Sequence, residues 1–131
     1  MLAAKALQSK DKADAARAAL KWVVDGAPDP AYRDIARLRL SALLLDAGSN
    51  DEALAQLSAP FTTAMAGLAA DLRGDVLQAK GQKAEAASAY QSAWQQLTDS
   101  PDYRRLVQAK LNALGLDPQA ATPANASGNT K

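Results

Sequence analysis

The sequence contains no cysteine and no histidine among its 131 residues. Without these side chains the chain cannot build a thiol nucleophile, an imidazole general base or most kinds of zinc site. It also lacks a glycine-rich phosphate loop, so no reaction class can be assembled from its residues. We therefore expect neither catalysis nor a cofactor or metal. The absence of cysteine does not decide the redox compartment, because a disulfide-free periplasmic protein and a cytosolic one look alike in this respect.

Runs of like charge and long apolar segments are also missing. The 15 basic and 14 acidic side chains give a formal net charge of +1. They are mixed along the chain, so there is no basic footprint for nucleic acid. The uncharged stretches 53–70 and 86–98 are too polar or too short to cross a bilayer, which takes about 20 apolar residues. We expect no nucleic-acid binding, and no membrane contact by this part of the protein.

Aromatic residues make up only 5% of the chain, and β-branched residues are scarce. The good helix formers Ala, Leu, Gln and Lys dominate instead, which predicts an all-α fold. Three positions of the sequence recur after 33 residues. This spacing is close to the tetratricopeptide period of about 34 residues. The recurring pairs are Gly48 and Gly81, Ala53 and Ala86, and Leu57 and Tyr90.

These residue types suit a hairpin of two helices. A glycine ends the first helix in a left-handed conformation, a small alanine allows close approach, and a large side chain fills the space beside it. Gly74 occupies a tight-packing position of the second hairpin. An earlier, less regular copy places Ala16 and Leu20 where the later copies have Ala53 and Leu57. The prediction is a tetratricopeptide-like right-handed solenoid of helical hairpins with a C-terminal capping helix.

We predict seven helices, at 2–10, 12–25, 31–47, 51–59, 61–80, 83–98 and 101–114. Asn50 or Asp51 is expected to cap the fourth helix, and Ser100 with Pro101 is expected to begin the seventh. In the seventh helix, Leu111 belongs to an apolar face that should cover the end of the solenoid.

The repeat domain is expected to cover residues 1–115 and to be incomplete at its N-terminus, because the first helix is short. Residues 116–131 are rich in Ala, Thr, Pro and Asn and are expected to form a disordered tail.

An apolar stripe on the third predicted helix is the candidate partner groove. The stripe consists of Ile35, Leu38, Ala42 and Leu45. A second apolar face on the same helix, with Leu40, Leu43 and Leu44, leaves open whether the stripe lines a groove or is covered by neighbouring helices. The groove edges are expected to take their polarity from Arg37, Arg39, Asp71 and Asp75.

Two further groups have alternative interpretations. Asp71 and Asp75 are four residues apart on one helix, which suits a carboxylate pair for acid–base work. Without histidine nearby, a solvated face or groove wall is the favoured interpretation. Trp22, Trp94 and Tyr90 are expected to be packing residues rather than recognition residues, because buried aromatics dominate core energetics.

Several segments carry a more specific likeness. They are IARLRL (35–40), LAADLRGD (68–75), AKGQK (79–83), AASAYQ (86–91) and QAKLNAL (108–114). In order and spacing they resemble the family of the ancillary subunit of the bacterial SecYEG translocon, the YfgM-type family. The resemblance covers residues 1–115.

The resemblance implies a short cytoplasmic start, one membrane helix and a periplasmic tetratricopeptide domain. It also implies association with SecYEG and with a membrane-anchored periplasmic chaperone of prolyl-isomerase type. This chain would then be a non-catalytic scaffold on the periplasmic side of the inner membrane, anchored by an N-terminal membrane helix that it lacks. The alternative is a soluble tetratricopeptide adaptor or co-chaperone module. One that clamps acidic tails would need basic residues where Leu38, Ala42, Asp71 and Asp75 stand.

Overall fold

A computed structural model of the chain describes residues 2–119, and their side chains from Ser9 onward. In this range the chain is helical and contains no strand, so the predicted all-α class is confirmed. The chain divides into two compact units, unit 1 (Met1–Thr62) and unit 2 (Thr63–Lys131). The helices are α1 (Leu2–Gly26), α2 (Pro30–Asp46), α3 (Asn50–Leu57), α4 (Thr63–Ala79), α5 (Lys83–Gln96) and α6 (Pro101–Ala113).

Unit 1 is built from α1, α2 and α3, with α2 in contact with both of the others. Asp29 caps α2 by accepting a hydrogen bond from the Ala31 N–H at 2.9 Å, and Pro30 follows in the first turn. Ala53 and Leu57 of α3 are buried with the inner face of α2. A proline in the first turn has no N–H to leave unsatisfied, so Pro30 is favourable at the start of α2.

The predicted break between helices at residues 2–10 and 12–25 is wrong, because α1 is continuous from Leu2 to Gly26. The residues at the predicted break include neither proline nor glycine, so nothing stops the helix there. In consequence no separate first helix exists for Ala16 to approach. Ala16 is exposed and Leu20 is only half-buried, so the upstream copy of the repeat does not have the packing of the later ones.

Glycine turns end α2 and α4 in the same way. Gly48 and Gly81 both have φ of +78°, a conformation that side chains disfavour. In each turn the next residue returns a hydrogen bond to the helix, from the Ser49 N–H to Leu44 O at 2.8 Å and from the Gln82 N–H to Leu77 O at 2.9 Å. Because α3 already begins at Asn50, Ser49 rather than Asn50 or Asp51 occupies the N-cap position.

Unit 2 consists of α4, α5 and α6, with α5 in contact with both of the others. Gly74 on α4 lies against the ring of Tyr90 on α5, and a Cβ at Gly74 would overlap Tyr90 Cε1. Ala86 is fully buried on the same face of α5. The two helices therefore approach as closely as they do because position 74 has no side chain.

The helix α6 begins after Ser100 and Pro101, as predicted, although the Ser100 side chain makes no capping hydrogen bond. Val107 and Leu111 on its inner face are fully buried. It contacts α5, so it covers the last hairpin as a capping helix does.

The first residues of the predicted tail lie against α5. Gln91 Nε2 donates to the Pro118 carbonyl at 3.2 Å, and the Pro118 side chain is buried. The rest of the predicted tail, residues 120–131, lies outside the described residues. Among residues 2–119, no helix is long and apolar enough to cross a membrane.

Candidate partner-binding surfaces

The stripe predicted as a groove lies on α2 and is half-buried. Ile35, Leu38, Ala42 and Leu45 all keep part of their surface accessible, whereas Leu40 and Leu44 on the other face are buried. The core of unit 1 is therefore built mainly on the second face of α2. The stripe members remain candidates for contact with a partner, because partly exposed apolar side chains are available to one.

One end of this stripe opens into a cleft between α1 and α2, the unit 1 cleft, of about 370 Å³. Leu20, Val23, Ala27, Tyr32, Ile35, Ala36 and Arg39 line it. All of these side chains except Arg39 are aliphatic or aromatic. Volumes of this size fall in the range of pockets that take a small ligand or a few side chains. The structure thus brings Ile35 and Arg39 together at one site, and adds Tyr32, which the sequence did not single out.

Arg37 does not lie free at a groove edge. Its guanidinium is 3.8 Å from Asp34, donates to the Pro60 carbonyl at 3.2 Å and lies 5.2 Å above the ring of Phe61. The buried Asp34 in turn accepts the backbone N–H of Thr62 at 2.8 Å. Asp34 and Arg37 therefore hold the segment after α3 in place, and Arg37 has little capacity left for a partner.

Asp71 and Asp75 form a polar cluster inside unit 2 with side chains from α5 and α6. Lys110 Nζ lies 3.0 Å from Asp71 Oδ1 and 3.0 Å from Asp75 Oδ1. The Tyr103 hydroxyl donates to Asp71 at 2.7 Å, and the Tyr90 hydroxyl donates to Asp75 at 2.7 Å. We call these five residues the α4–α6 polar cluster. Asp71 is only 3% exposed, so its carboxylate is committed to this cluster instead of setting polarity at a groove edge.

The cluster shifts the titration of three of its members, Tyr90, Tyr103 and Lys110. Burial and the hydrogen bond to Asp75 raise the pKa of the Tyr90 hydroxyl, and burial and the hydrogen bond to Asp71 raise that of Tyr103. Burial alone would lower the pKa of Lys110, but the hydrogen bonds and charges of the two aspartates outweigh it and raise that pKa. At neutral pH Lys110 is therefore charged and both phenols are protonated.

The groups of this cluster that can exchange protons are paired with one another. Lys110 donates to both members of the aspartate pair that suited an acid–base dyad, and both tyrosines donate to the same pair. No group of three or more potential metal ligands occurs among residues 2–119. The cluster instead joins α4 to α5 and α6, which makes it structural.

The sequence prediction missed Tyr103 and Lys110 as partners of the aspartates. Both belong to the inner face of α6, because Tyr103 lies four residues before the buried Val107 and Lys110 lies three residues after it. A lysine on the apolar face of a capping helix was the available signal, because such a charge needs an acidic partner.

The two tryptophans differ in environment. Trp94 is half-buried, and the guanidinium of Arg104 lies 3.5 Å from the centre of its ring. Trp22 is 78% exposed, so the prediction that it is a packing residue is wrong. It lies on the face of α1 opposite to Leu20, which a helix places about 160° away around its axis.

Hairpins closed by glycine turns and a capping helix define the chain as a helical repeat module. Residues 1–116 match the tetratricopeptide repeat-like domain family, and the chain belongs to that family. It is similar to a protein of Neisseria gonorrhoeae named ancillary SecYEG translocon subunit, with 34% identity over 101 residues. The similarity covers 77% of this chain and 48% of the relative, so the chain spans about half of the relative's length. No solved structure gives a match.

Proposed function

We propose that this chain is a non-catalytic protein–protein interaction module of a SecYEG-associated protein. The observation that carries the proposal is the unit 1 cleft, an apolar site with a single charged side chain, on a helical repeat fold. Helical repeats typically bind partner chains on such surfaces. The name of the Neisseria relative supplies the partner, the SecYEG translocon.

We further propose that the module works on the periplasmic side of the inner membrane, held there by a membrane helix of the complete protein. In this position it would pass emerging chains from the translocon to a membrane-anchored periplasmic chaperone. Both points rest on the family resemblance of the segments around Leu72 and Gly81. The acidic, basic and phenolic groups of the α4–α6 polar cluster pair with one another, which supports a scaffold role over an enzymatic one.

Site-specific photocrosslinking in the native bacterium tests the partner. The complete gene product would carry a photoreactive amino acid in place of Arg39, at the rim of the unit 1 cleft. The matched control carries it in place of Arg105, which is exposed on α6 in unit 2. We expect translocon subunits or a periplasmic chaperone to be captured from position 39 and much less from position 105.

Recovery of cytosolic proteins alone from position 39 would contradict the translocon proposal and support the soluble adaptor instead. Position 71 is unsuitable for the probe, because Asp71 is buried among its cluster partners. Protease treatment of spheroplasts tests the compartment. Digestion of the repeat domain without lysis is expected, and protection until lysis would place it on the cytoplasmic side.

A further inference from the structure

The unit 1 cleft combines an apolar lining with one charged side chain, that of Arg39. Arg39 is exposed at the rim, and no carboxylate among the described residues pairs with it. Arg37, two residues earlier on the same helix, is by contrast occupied by Asp34, Pro60 and Phe61. Of these two arginines, the one at the cleft therefore has its guanidinium available to a partner.

The shape and charge of the cleft restrict what it can bind. A volume of about 370 Å³ admits one large apolar side chain with part of its backbone. Ala27 and Ala36 keep the space open because their side chains are small, while Leu20, Val23 and Ile35 provide apolar contact. A guanidinium at the edge of such a space pairs best with a carboxylate, which it can bind through two parallel hydrogen bonds.

We propose that the unit 1 cleft binds an internal segment of a partner protein in which a large apolar residue lies next to Asp or Glu. The apolar side chain enters the cleft between α1 and α2, and the acidic side chain pairs with Arg39 at the rim. This inference rests on the proposed function and adds the chemistry of the partner to it. Tyr32, 64% exposed beside the cleft, gives a further contact surface for the bound segment.

Binding of short blocked peptides to the 131-residue chain tests the inference. The first peptide is acetyl-Gly-Ser-Phe-Glu-Gly-Ser-amide, whose only charge is the glutamate. Two matched peptides replace Glu by Gln or Phe by Ala. Amide chemical shifts measured by NMR during titration report both the affinity and the location. We expect shifts of Leu20, Val23 and Ile35, about threefold weaker binding of the Gln peptide, as for an exposed ion pair, and no binding of the Ala peptide.

Two variants test whether the carboxylate of the peptide pairs with Arg39. Arg39→Gln should bind the Glu and Gln peptides equally, because the charge pair is gone while the apolar cleft remains. Arg105→Gln removes an exposed arginine in unit 2 and should keep the preference for Glu. High salt should reduce the preference in the unaltered chain, because exposed charge pairs are screened.

Several results would overturn the inference. Equal affinity for the Glu and Gln peptides would remove the role of Arg39, and shifts confined to unit 2 would place binding elsewhere. Tighter binding of a peptide that ends in a free Phe carboxylate and has no glutamate would identify a C-terminus as the ligand. Self-association that shifts the same cleft residues without peptide would identify a second copy of the chain.

These results are separate from the test of the proposed function. Capture of translocon subunits from position 39 together with equal binding of the two peptides would sink only the inference. A clear preference for glutamate together with capture of cytosolic proteins alone would sink the translocon proposal and keep the cleft chemistry.

Discussion

Both units bury an aspartate on a helix, and they use it differently. In unit 1, Asp34 accepts a backbone N–H from Thr62 and holds a connecting segment beside Arg37. In unit 2, Asp71 accepts from Tyr103 and Lys110, both on a helix that follows two elements later. One aspartate holds the backbone of a connecting segment, and the other joins two helices through side chains.

The remaining surfaces of the two units reflect this difference. In unit 2 the polar cluster joins α6 to the hairpin of α4 and α5, and residues on the inner faces of all three helices are buried. In unit 1 no element among the described residues covers the side of α1 that carries Trp22, and the cleft between α1 and α2 is open. The cleft with an almost wholly apolar lining is therefore in unit 1, which makes unit 1 the better candidate for partner contact.

The largest expected effect concerns the lysine of the polar cluster. Replacing Lys110 by Met leaves the buried carboxylate of Asp71 without its counter-charge, which should cost about 3 kcal/mol of unfolding free energy. Urea unfolding followed by circular dichroism measures it. The control is Lys21→Met, which breaks an exposed ion pair with Asp25 and should change stability by less than about 1 kcal/mol. Similar losses in both variants would mean that burial of the cluster does not matter.

A smaller loss is expected at the close contact of α4 and α5. In Gly74→Ala the new methyl group would overlap the Tyr90 ring, and relieving such overlap costs about 1–3 kcal/mol. The better helix propensity of alanine offsets up to about 1 kcal/mol of this. Thermal unfolding should therefore show a net loss.

Gly26→Ala is the matched control for that contact, because nothing lies within 4 Å of a Cβ at Gly26. It should be neutral or slightly stabilising, since alanine restricts the unfolded chain more than glycine does. If Gly74→Ala is tolerated as well as Gly26→Ala, α4 and α5 are not held by this contact.

Alkaline pH should lower the stability of unit 2. The pKa values of Tyr90 and Tyr103 are raised above their ordinary 10.0, and that of Lys110 is raised above 10.5. Folded unit 2 therefore keeps protons that the unfolded chain releases. Its stabilisation is fully present below about pH 10 and is lost as the pH rises towards the folded-state pKa values.

The measurement is the change of Tm between about pH 9 and pH 11, where this linkage acts. Tm should fall more steeply in the unaltered chain than in Tyr103→Phe, which has one fewer coupled phenol. Tyr32→Phe removes an exposed tyrosine outside the cluster and should keep the steep fall. Equal slopes for the unaltered chain and Tyr103→Phe would exclude Tyr103 as a source of the pH dependence.

The sequence was most informative where the local backbone decides the outcome. The glycines at 48 and 81 adopt the positive φ that a helix end of this kind requires, and Pro101 lies in the first turn of α6. The contacts of Asp71 and Asp75 could not be predicted from any local sequence pattern. Their partner Lys110 is more than 30 residues away in the chain, and only the packing of α6 brings it close.

The smallest expected effect tests the opposite end of the comparison, the uncovered face of α1. Trp22→Ala should change the unfolding free energy by no more than about 0.5 kcal/mol, as for other surface positions without contacts. Trp94→Ala should cost more, because it loses partly buried ring surface and the stacked Arg104. Fluorescence distinguishes the two rings. In Trp94→Phe the remaining emission, from Trp22, should be quenched readily by iodide, whereas in Trp22→Phe the emission of Trp94 should be less accessible. Strong protection of Trp22 would show that its face is covered in solution.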